Sequence, residues 1–320
     1  MEIRNYKNSD LETIIDLAKT SYNEEKAYLK ILKPIEDYKN IINDMFYKRF
    51  GKNAFGKVLL IDNKIIGYLI GIKIENFWGK SKGFLSPIYG HFVKEKYRIQ
   101  GYKLLYMALA KTLVEKEILS HAITMYTYDK NLIDTWFKLG FGLRCIDSIK
   151  AIKPKKEKIS TKIKPITKTN ATDFVSLEES LHMVFTESPM FMPRTETDGL
   201  EAILDTISKD DNYMFGAYNN NLEPIGIIKI GPVGDNFITT HKKMMNVKGL
   251  YIDKNHRKKG AARDLLAYCE KFLSDLGYEL LGVDFESFNI YGSEFWHKNF
   301  SPYTNTVHRR IDEFIIENDK

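Results

Sequence analysis

Two blocks of the chain carry the same order of hydrophobic patterns. Each opens on a short β-type run, Ile3 to Tyr6 and Ile163 to Ile166. A helical spacing of apolar residues follows, starting at polar groups: Ser9-Asp10-Leu11 in one block, Asn170-Ala171-Thr172-Asp173 in the other. A side-chain oxygen there can accept the free N–H groups of a first turn. After a second helical stretch come two β-rich runs about a polar turn. In the first block these are Lys57–Ile61 and Ile65–Ile74 around Asp62-Asn63-Lys64; in the second, Tyr213–Tyr218 and Ile225–Ile230 around Asn219-Asn220-Asn221. A further strand leads into a helix, Tyr102–Glu117 and Ala261–Leu276. A strand, a short helix and a last strand close each block. This order predicts an α+β fold, each block a twisted, mostly antiparallel sheet flanked by helices.

The blocks are held in register by recurring landmarks. Ile65-Ile66-Gly67 matches Pro224-Ile225-Gly226, Arg98-x-x-Gly101 matches Arg257-x-x-Gly260, and Phe141 matches Phe300, each 159 residues on; Trp136 matches Trp296 at 160. A nearly constant offset over separate landmarks points to a duplication. The expected division is a first domain over 1–152, a basic linker over 153–160 and a second domain over 161–320.

Composition narrows the picture further. Of the 320 residues, 43% are hydrophobic, which fits a globular chain and excludes wholesale disorder. The start, Met1-Glu2-Ile3-Arg4, argues against a secretory signal. The longest apolar candidate, Val58 to Ile74, is interrupted by Asp62, Asn63, Lys64 and two glycines, so no membrane association is expected. Cys145 and Cys269 stand far apart in no metal-like spacing, and the histidines are scattered; a reduced, cytoplasmic setting without a metal fits. The formal charge of +6 comes from Lys mixed with Glu, which reads as solvated surface and not as a nucleic-acid stripe. The basic stretch Lys150 to Lys168 reads as a linker, with a polyanion-binding strip as the alternative.

The most informative segment runs from Val247 to Leu266. It joins a strand, a basic turn and a helix that starts with small residues. The first turn of such a helix leaves backbone N–H groups unpaired at the positive end of the helix dipole. Gly260, Ala261 and Ala262 let a phosphate approach those donors, and Arg257, Lys258 and Lys259 add positive charge. The chemistry indicated is diphosphate binding. Arg-Lys-Lys-Gly alone would read as a solvated turn; its context makes it informative.

In that context Arg257-x-x-Gly260-x-Ala262 resembles the acyl-CoA signature of the GNAT superfamily, [QR]-x-x-G-x-[GA]. Leu250-Tyr251-Ile252-Asp253 is similar to the family's fourth strand, and Asn289-x-x-Gly292-x-x-Phe295-Trp296-x-Lys298 to its last short helix, which recurs at Trp136-Phe137-Lys138-Leu139-Gly140-Phe141. The resemblance implies two consecutive GNAT-like domains. It implies direct transfer of an acetyl group from acetyl-CoA, as cosubstrate, to the primary amine of a small molecule or peptide. The pantetheine arm would pair with the strand edge near Leu250, Tyr251 and Ile252, where backbone N–H would also polarise the thioester carbonyl; Asn289 would lie along the cofactor.

Proton transfer departs from the family's commonest pattern. Trp136 and Trp296 stand where relatives place a tyrosine acid, and indole cannot fill that role; both read as core aromatics. Asn246 stands where one branch places a glutamate base and cannot titrate. Glu286, after the fifth strand of the second block, and Glu187, in the segment between its first two helices, are the candidate bases, each with a surface carboxylate as the bland alternative. The first block carries Lys103 where a small residue should face the diphosphate, with Tyr102 adding bulk, so its signature reads as degenerate. One CoA per chain, in the second block, is expected. The partners expected are the amine acceptor and no nucleic acid, with the chain a monomeric pseudo-dimer of domains or a homodimer. A non-catalytic acyl-CoA-binding or sensing protein is the alternative function.

Overall fold

The apolar run Ile65–Ile74 becomes the longest strand of a computed structural model that describes residues 1–50, 54–153, 159–193 and 198–317. Residues 154–158, most of the expected linker, lie outside the described residues. The chain divides into two units, residues 1–146 with 302–320, and residues 147–301.

In the first unit, β1 (Glu2–Asn5) precedes helices α1 (Leu11–Tyr28) and α2 (Tyr38–Met45). Strands β2 (Ala54–Ile61) and β3 (Lys64–Ile74) form a hairpin whose turn residues Asp62 and Asn63 sit at φ of 49° and 59°, the left-handed pair that matches strand twist. Then come β4 (Gly83–Ser86), β5 (His91–Val93), α3 (Arg98–Val114), β6 (Ser120–Tyr126), α4 (Lys130–Lys138) and the start of β7 (Gly142–Ala151). Along this sheet the order is β1-β2-β3-β4-β6, with β5 also on β3. Of these strand pairs, β4 with β6 runs parallel and the others antiparallel. Leu105, Leu109 and Leu113 recur at helical spacing on α3 and are buried with Leu59, Leu69 and Ile123 from the sheet.

The second unit repeats this plan with β8 (Lys162–Pro165), α5 (Val175–Met183), α6 (Gly199–Ser208), β9 (Tyr213–Tyr218), β10 (Pro224–Gly231), β11 (Met244–Ile252), α7 (Ala261–Asp275), β12 (Leu280–Glu286) and α8 (Ile290–Asn299). Its order is β8-β9-β10-β11-β12, antiparallel except for the β11–β12 pair. Met214 packs with Phe174 and Leu177 beside α5, whereas its neighbour Phe215 meets Tyr268 and Phe272 of α7 edge to face. Adjacent strand residues point to opposite faces, so α5 and α7 cover the two sides of the sheet.

The closing strands do not stay with their own halves. β13 (Ser301–Arg310) pairs antiparallel with β6, from Thr304↔Tyr126 to Arg310↔Ser120, and residues 302–320 belong to the first unit. Conversely, Asp147–Ala151 of β7 belongs to the second unit, and the Ile152 amide donates to Glu279 O at 2.8 Å. The observed division therefore differs from 1–152 and 161–320 by an exchange of the two equivalent last strands. The short α9 (Phe314–Glu317) ends the described chain.

The glycine landmarks of the repeat have a shared cause. A Cβ on Gly67 would meet Phe92 O at 2.9 Å, and one on Gly226 would meet Tyr251 O at 2.9 Å. In both units the hairpin strand lies close against the backbone of the strand that leads into the signature at this glycine.

Candidate functional site

The site is built on a parting of strands in the second unit. β11 and β12 pair in parallel from Met244↔Leu280 to Val247↔Val283 and then stop, although both strands run on. The cause lies on the other side of β11, where the ladder to β10 steps from Gly249 to Val247 between Lys229 and Ile230, leaving Lys248 as an extra residue. Such a bulge bends its strand and increases the local twist. Beyond it, Gly249, Leu250, Tyr251 and Ile252 stay paired to β10, and their β12 side is open for an extended ligand.

At the end of β11 the chain turns through residues 253–260. Asp253 caps the turn by accepting from Asn255 N at 2.9 Å, with His256 Nδ1 at 3.1 Å. Arg257 Nε donates to Ile252 O at 3.0 Å, and its guanidinium lies over the rings of Tyr251 (5.4 Å) and Tyr291 (5.8 Å). Lys258 and Lys259 are exposed, Lys259 Nζ donating to Asn255 O at 3.0 Å. Gly260 has φ of +97°, a conformation open to glycine, and serves as N-cap of α7 without a side-chain cap. Ala261 is buried and Ala262 half-buried, so only small groups line the helix start. A 15-residue helix thus opens with a bare, basic-flanked first turn beside the parted strands.

Asp264, in the same first turn, is committed elsewhere. Its Oδ2 accepts from the amides and hydroxyls of Ser160 and Thr161 at 2.8–3.1 Å. Burial alone would raise its carboxyl; these donors override that and hold it below the usual range.

Other residues singled out from sequence fall in separate places. Asn289 caps α8, accepting from Gly292 N at 3.1 Å, so its oxygen has a structural duty. Asn246 is buried and donates to Pro232 O at 3.2 Å. Trp296 and Trp136 are buried among Phe295 and Phe300, and among Tyr102, Tyr106 and Phe141, as core aromatics. Glu187 is an exposed carboxylate ion-paired with Lys254 at 3.0 Å, next to the basic turn and not to the strand gap. Glu286 is half-buried at the end of β12. The structure does not bring Glu187 and Glu286 to one point. Tyr291, exposed at the start of α8 beside Arg257, and Asp284 on β12 were not singled out; their neighbours come from distant segments and leave no local pattern.

The first unit has the same parts in a closed arrangement. β4 and β6 pair up to Ser86↔Ile123, and β5 then departs after the Pro87–Gly90 break. His91 of β5 spans the resulting gap: its Nε2 donates to Thr124 O at 2.8 Å, leaving Nδ1 to accept from the Tyr102 hydroxyl at 2.8 Å. Burial pushes this imidazole down to about 4, so it is neutral at pH 7. Arg98 Nε donates to Val93 O at 3.0 Å, the same clamp as Arg257, but its other nitrogens are taken by Glu24 (2.8 Å) and Asp129 (3.2 Å). The expected helix start at Tyr102 is corrected: α3 begins at Arg98, so Gly101 lies inside the helix. A Cβ on Gly101 would meet Val93 and Leu59 side chains at 2.8 and 2.9 Å, so this glycine serves packing. Tyr102 points into the core, and Lys103 lies in the second turn, not at a helix mouth.

Among the described residues no group of three or more His, Cys, Asp or Glu side chains could hold a metal, and no helix is long and apolar enough to cross a membrane. Both cysteines are free.

Residues 179–300 match the Acetyltransferase (GNAT) family. No curated protein matches the chain in sequence. Among solved structures, the GCN5-related N-acetyltransferase from Sphaerobacter thermophilus superposes with a TM-score of 0.61 at 9% identity, covering 97% of this chain and 95% of that one. A GCN5-related glucosamine N-acetyltransferase region of a fungal multi-domain GH3 β-N-acetylglucosaminidase gives 0.56 at 13% identity, over 96% of this chain; the chain spans 38% of that protein. At these identities the likeness is one of fold.

Proposed function

We propose, from the match of residues 179–300 to the GNAT family, that the second unit moves an acetyl group from acetyl-CoA to a primary amine of a small molecule or peptide. The observation that carries the reading is the meeting of two features: an open gap between β11 and β12, and the uncapped α7 start at Gly260. The diphosphate would sit on the amides around Gly260, Ala261 and Ala262, with Arg257, Lys258 and Lys259 around it. The pantetheine amides would pair with the free edge of Leu250, Tyr251 and Ile252, extending the sheet by one strand. A backbone N–H of that edge would stabilise the oxyanion formed as the amine adds to the thioester carbonyl. The thiolate of CoA, with a reference pKa near ~8.5 for a thiol, can leave as an anion beside these dipoles. In the first unit, the His91 bridge and the absence of a left-handed glycine at the start of α3 support a role without CoA.

Calorimetric titration with acetyl-CoA tests the reading. The parent should bind one equivalent, and Gly260→Glu, with a carboxylate set against the diphosphate, should bind none while remaining folded. Unchanged affinity in the folded variant would remove the site. Asn246 and the buried Trp296, in place of the usual proton-transfer groups, favour one second reading, a non-catalytic acyl-CoA-binding protein. Thioester cleavage during incubation with mixed amines separates the two.

A further inference from the structure

Three segments of the second unit converge where β11 and β12 part. Asp284 lies on β12, one residue past Val283, the last residue paired with β11. Facing it from β11 is Lys248, the extra residue of the bulge, whose Nζ donates to Val233 O at 2.9 Å. From the loop after β10 comes Asp235. That loop is pinned on both sides of Asp235. Gly234 N donates to Thr239 Oγ1 at 3.1 Å, and Asn236 both accepts from Ile238 N at 3.0 Å and donates to Asp147 at 3.0 Å. Asp147, the carboxylate of the adjoining β7 segment, is thereby engaged by an amide.

We propose that Asp284, at the point where β11 and β12 part, is the general base of the transfer reaction. The inference rests on the acetyl-transfer reading above. Of the three carboxylates, Glu187 is committed to Lys254 beside the basic turn, and Glu286 lies two residues further along β12. Asp284 alone of these sits at the first residue of the open gap, where a thioester carbonyl held on the β11 edge and an incoming amine would meet. Burial pushes its carboxyl up to about 6, Asp235 adding to the rise and Lys248 opposing it. It is therefore ionised at neutral pH yet basic enough to accept a proton.

In the step, the Asp284 carboxylate takes one proton from the ammonium of the acceptor. The freed lone pair forms the C–N bond to the acetyl carbonyl, and the C–S bond breaks. The second proton lost by nitrogen passes to the CoA thiolate, and Asp284 returns its proton to solvent. The products are the N-acetyl amine, CoA and one proton.

The test measures CoA release from acetyl-CoA with a panel of benzylamine, putrescine, glucosamine and lysine methyl ester, alongside calorimetric affinity for acetyl-CoA. Asp284→Asn should lose about 100-fold in kcat/KM with unchanged acetyl-CoA affinity. Asp235→Asn removes the charge that raises Asp284, so the rising limb of kcat/KM should move to lower pH. Full activity of Asp284→Asn overturns the base while leaving acetyl transfer intact. A parent that binds acetyl-CoA but acetylates no amine overturns transfer and base together, and a parent that binds none removes the cofactor site as well. Should Asp284→Asn lose acetyl-CoA affinity, the Asp235→Asn limb decides, and an unmoved limb overturns the proposal.

Discussion

His91 Nε2 and Thr124 O lie 2.8 Å apart across the gap between β5 and β6, so the side chain of one strand replaces the ladder that the two strands have given up. At the matching position of the second unit stands Leu250, which cannot make this bond. The consequence is stoichiometric. One CoA per chain is expected by native mass spectrometry, lost entirely in Gly260→Glu and retained in His91→Ala. Two equivalents of similar affinity would show that the first gap opens.

The same histidine makes the first unit sensitive to acid. Burial pushes His91 and His121 each down to about 4, from 6.5. The unfolded chain therefore binds more protons than the folded one between these values. Their contribution is complete above about pH 6.5 and is lost as pH falls toward 4, about 3 kcal/mol for each group. Glu25 works the other way: burial pushes it up to about 7, so its folded form is favoured by acid and loses stability as pH rises from 4.5 to 7. His308 of the same unit is likewise pushed down to about 4 by burial, while Asp284 in the second unit is raised to about 6; three histidines thus oppose two carboxyls, and urea stability should still fall from pH 6.5 to 4.5. His121→Gln should flatten that slope; an unchanged slope would show that His121 does not titrate in this way.

Gly260 separates conformation from contact. A Cβ there would come no nearer than 3.6 Å to Arg263 Nη2, so space is available, and only the φ of +97° resists substitution. Gly260→Ala should therefore cost about 1–2 kcal/mol of stability. Acetyl-CoA affinity should fall with it, because relaxing φ turns the first amides of α7 away from the diphosphate. Thermal unfolding and titration on the same sample check both. A stable variant that binds normally would show that the left-handed conformation is not needed.

The elements and the duplication were legible because the signals are local. The apolar, β-branched run Ile65–Ile74, the Asp62-Asn63 turn and the small residues at Gly260-Ala261-Ala262 each act within a few residues. The glycine and arginine landmarks recur because they do one job twice, close backbone passage at Gly67 and Gly226, and a clamp on the preceding carbonyl at Arg98 and Arg257. The start of α3 was misjudged because Arg98-x-x-Gly101 looks like its counterpart, whereas Gly101 is small for the sake of Val93 and Leu59. Asp284 was passed over because its neighbours, Asp235 and Lys248, meet it only through the bulge in β11. The exchange of last strands was illegible for another reason. β7 and β13 are equivalent in pattern, and alternation specifies a face, not a partner.

That exchange makes a prediction about fragments. Cutting at the apparent boundary yields residues 1–152, in which β6 has lost its partner along Thr304–Arg310. The inner face of that edge includes Ile123 and Met125, both at 0% exposure, and β13 itself buries Tyr303 and Val307 in the first unit. Losing those two side chains removes about 3–6 kcal/mol of burial, a large share of a domain's usual 5–15 kcal/mol. The bare edge of β6 then becomes a template for pairing with another chain. Residues 1–152 alone should elute as aggregates or strand-paired oligomers in size-exclusion chromatography, and lose cooperative unfolding. Residues 161–320 alone lack Asp147–Ala151 and carry an unpartnered β13, so the same outcome is expected. Coexpression of the two fragments should restore a soluble pair, because each supplies the strand the other lacks. A monomeric 1–152 with the parent's cooperative transition would mean that β7 can fold back on its own half, and that the exchange is not required for stability.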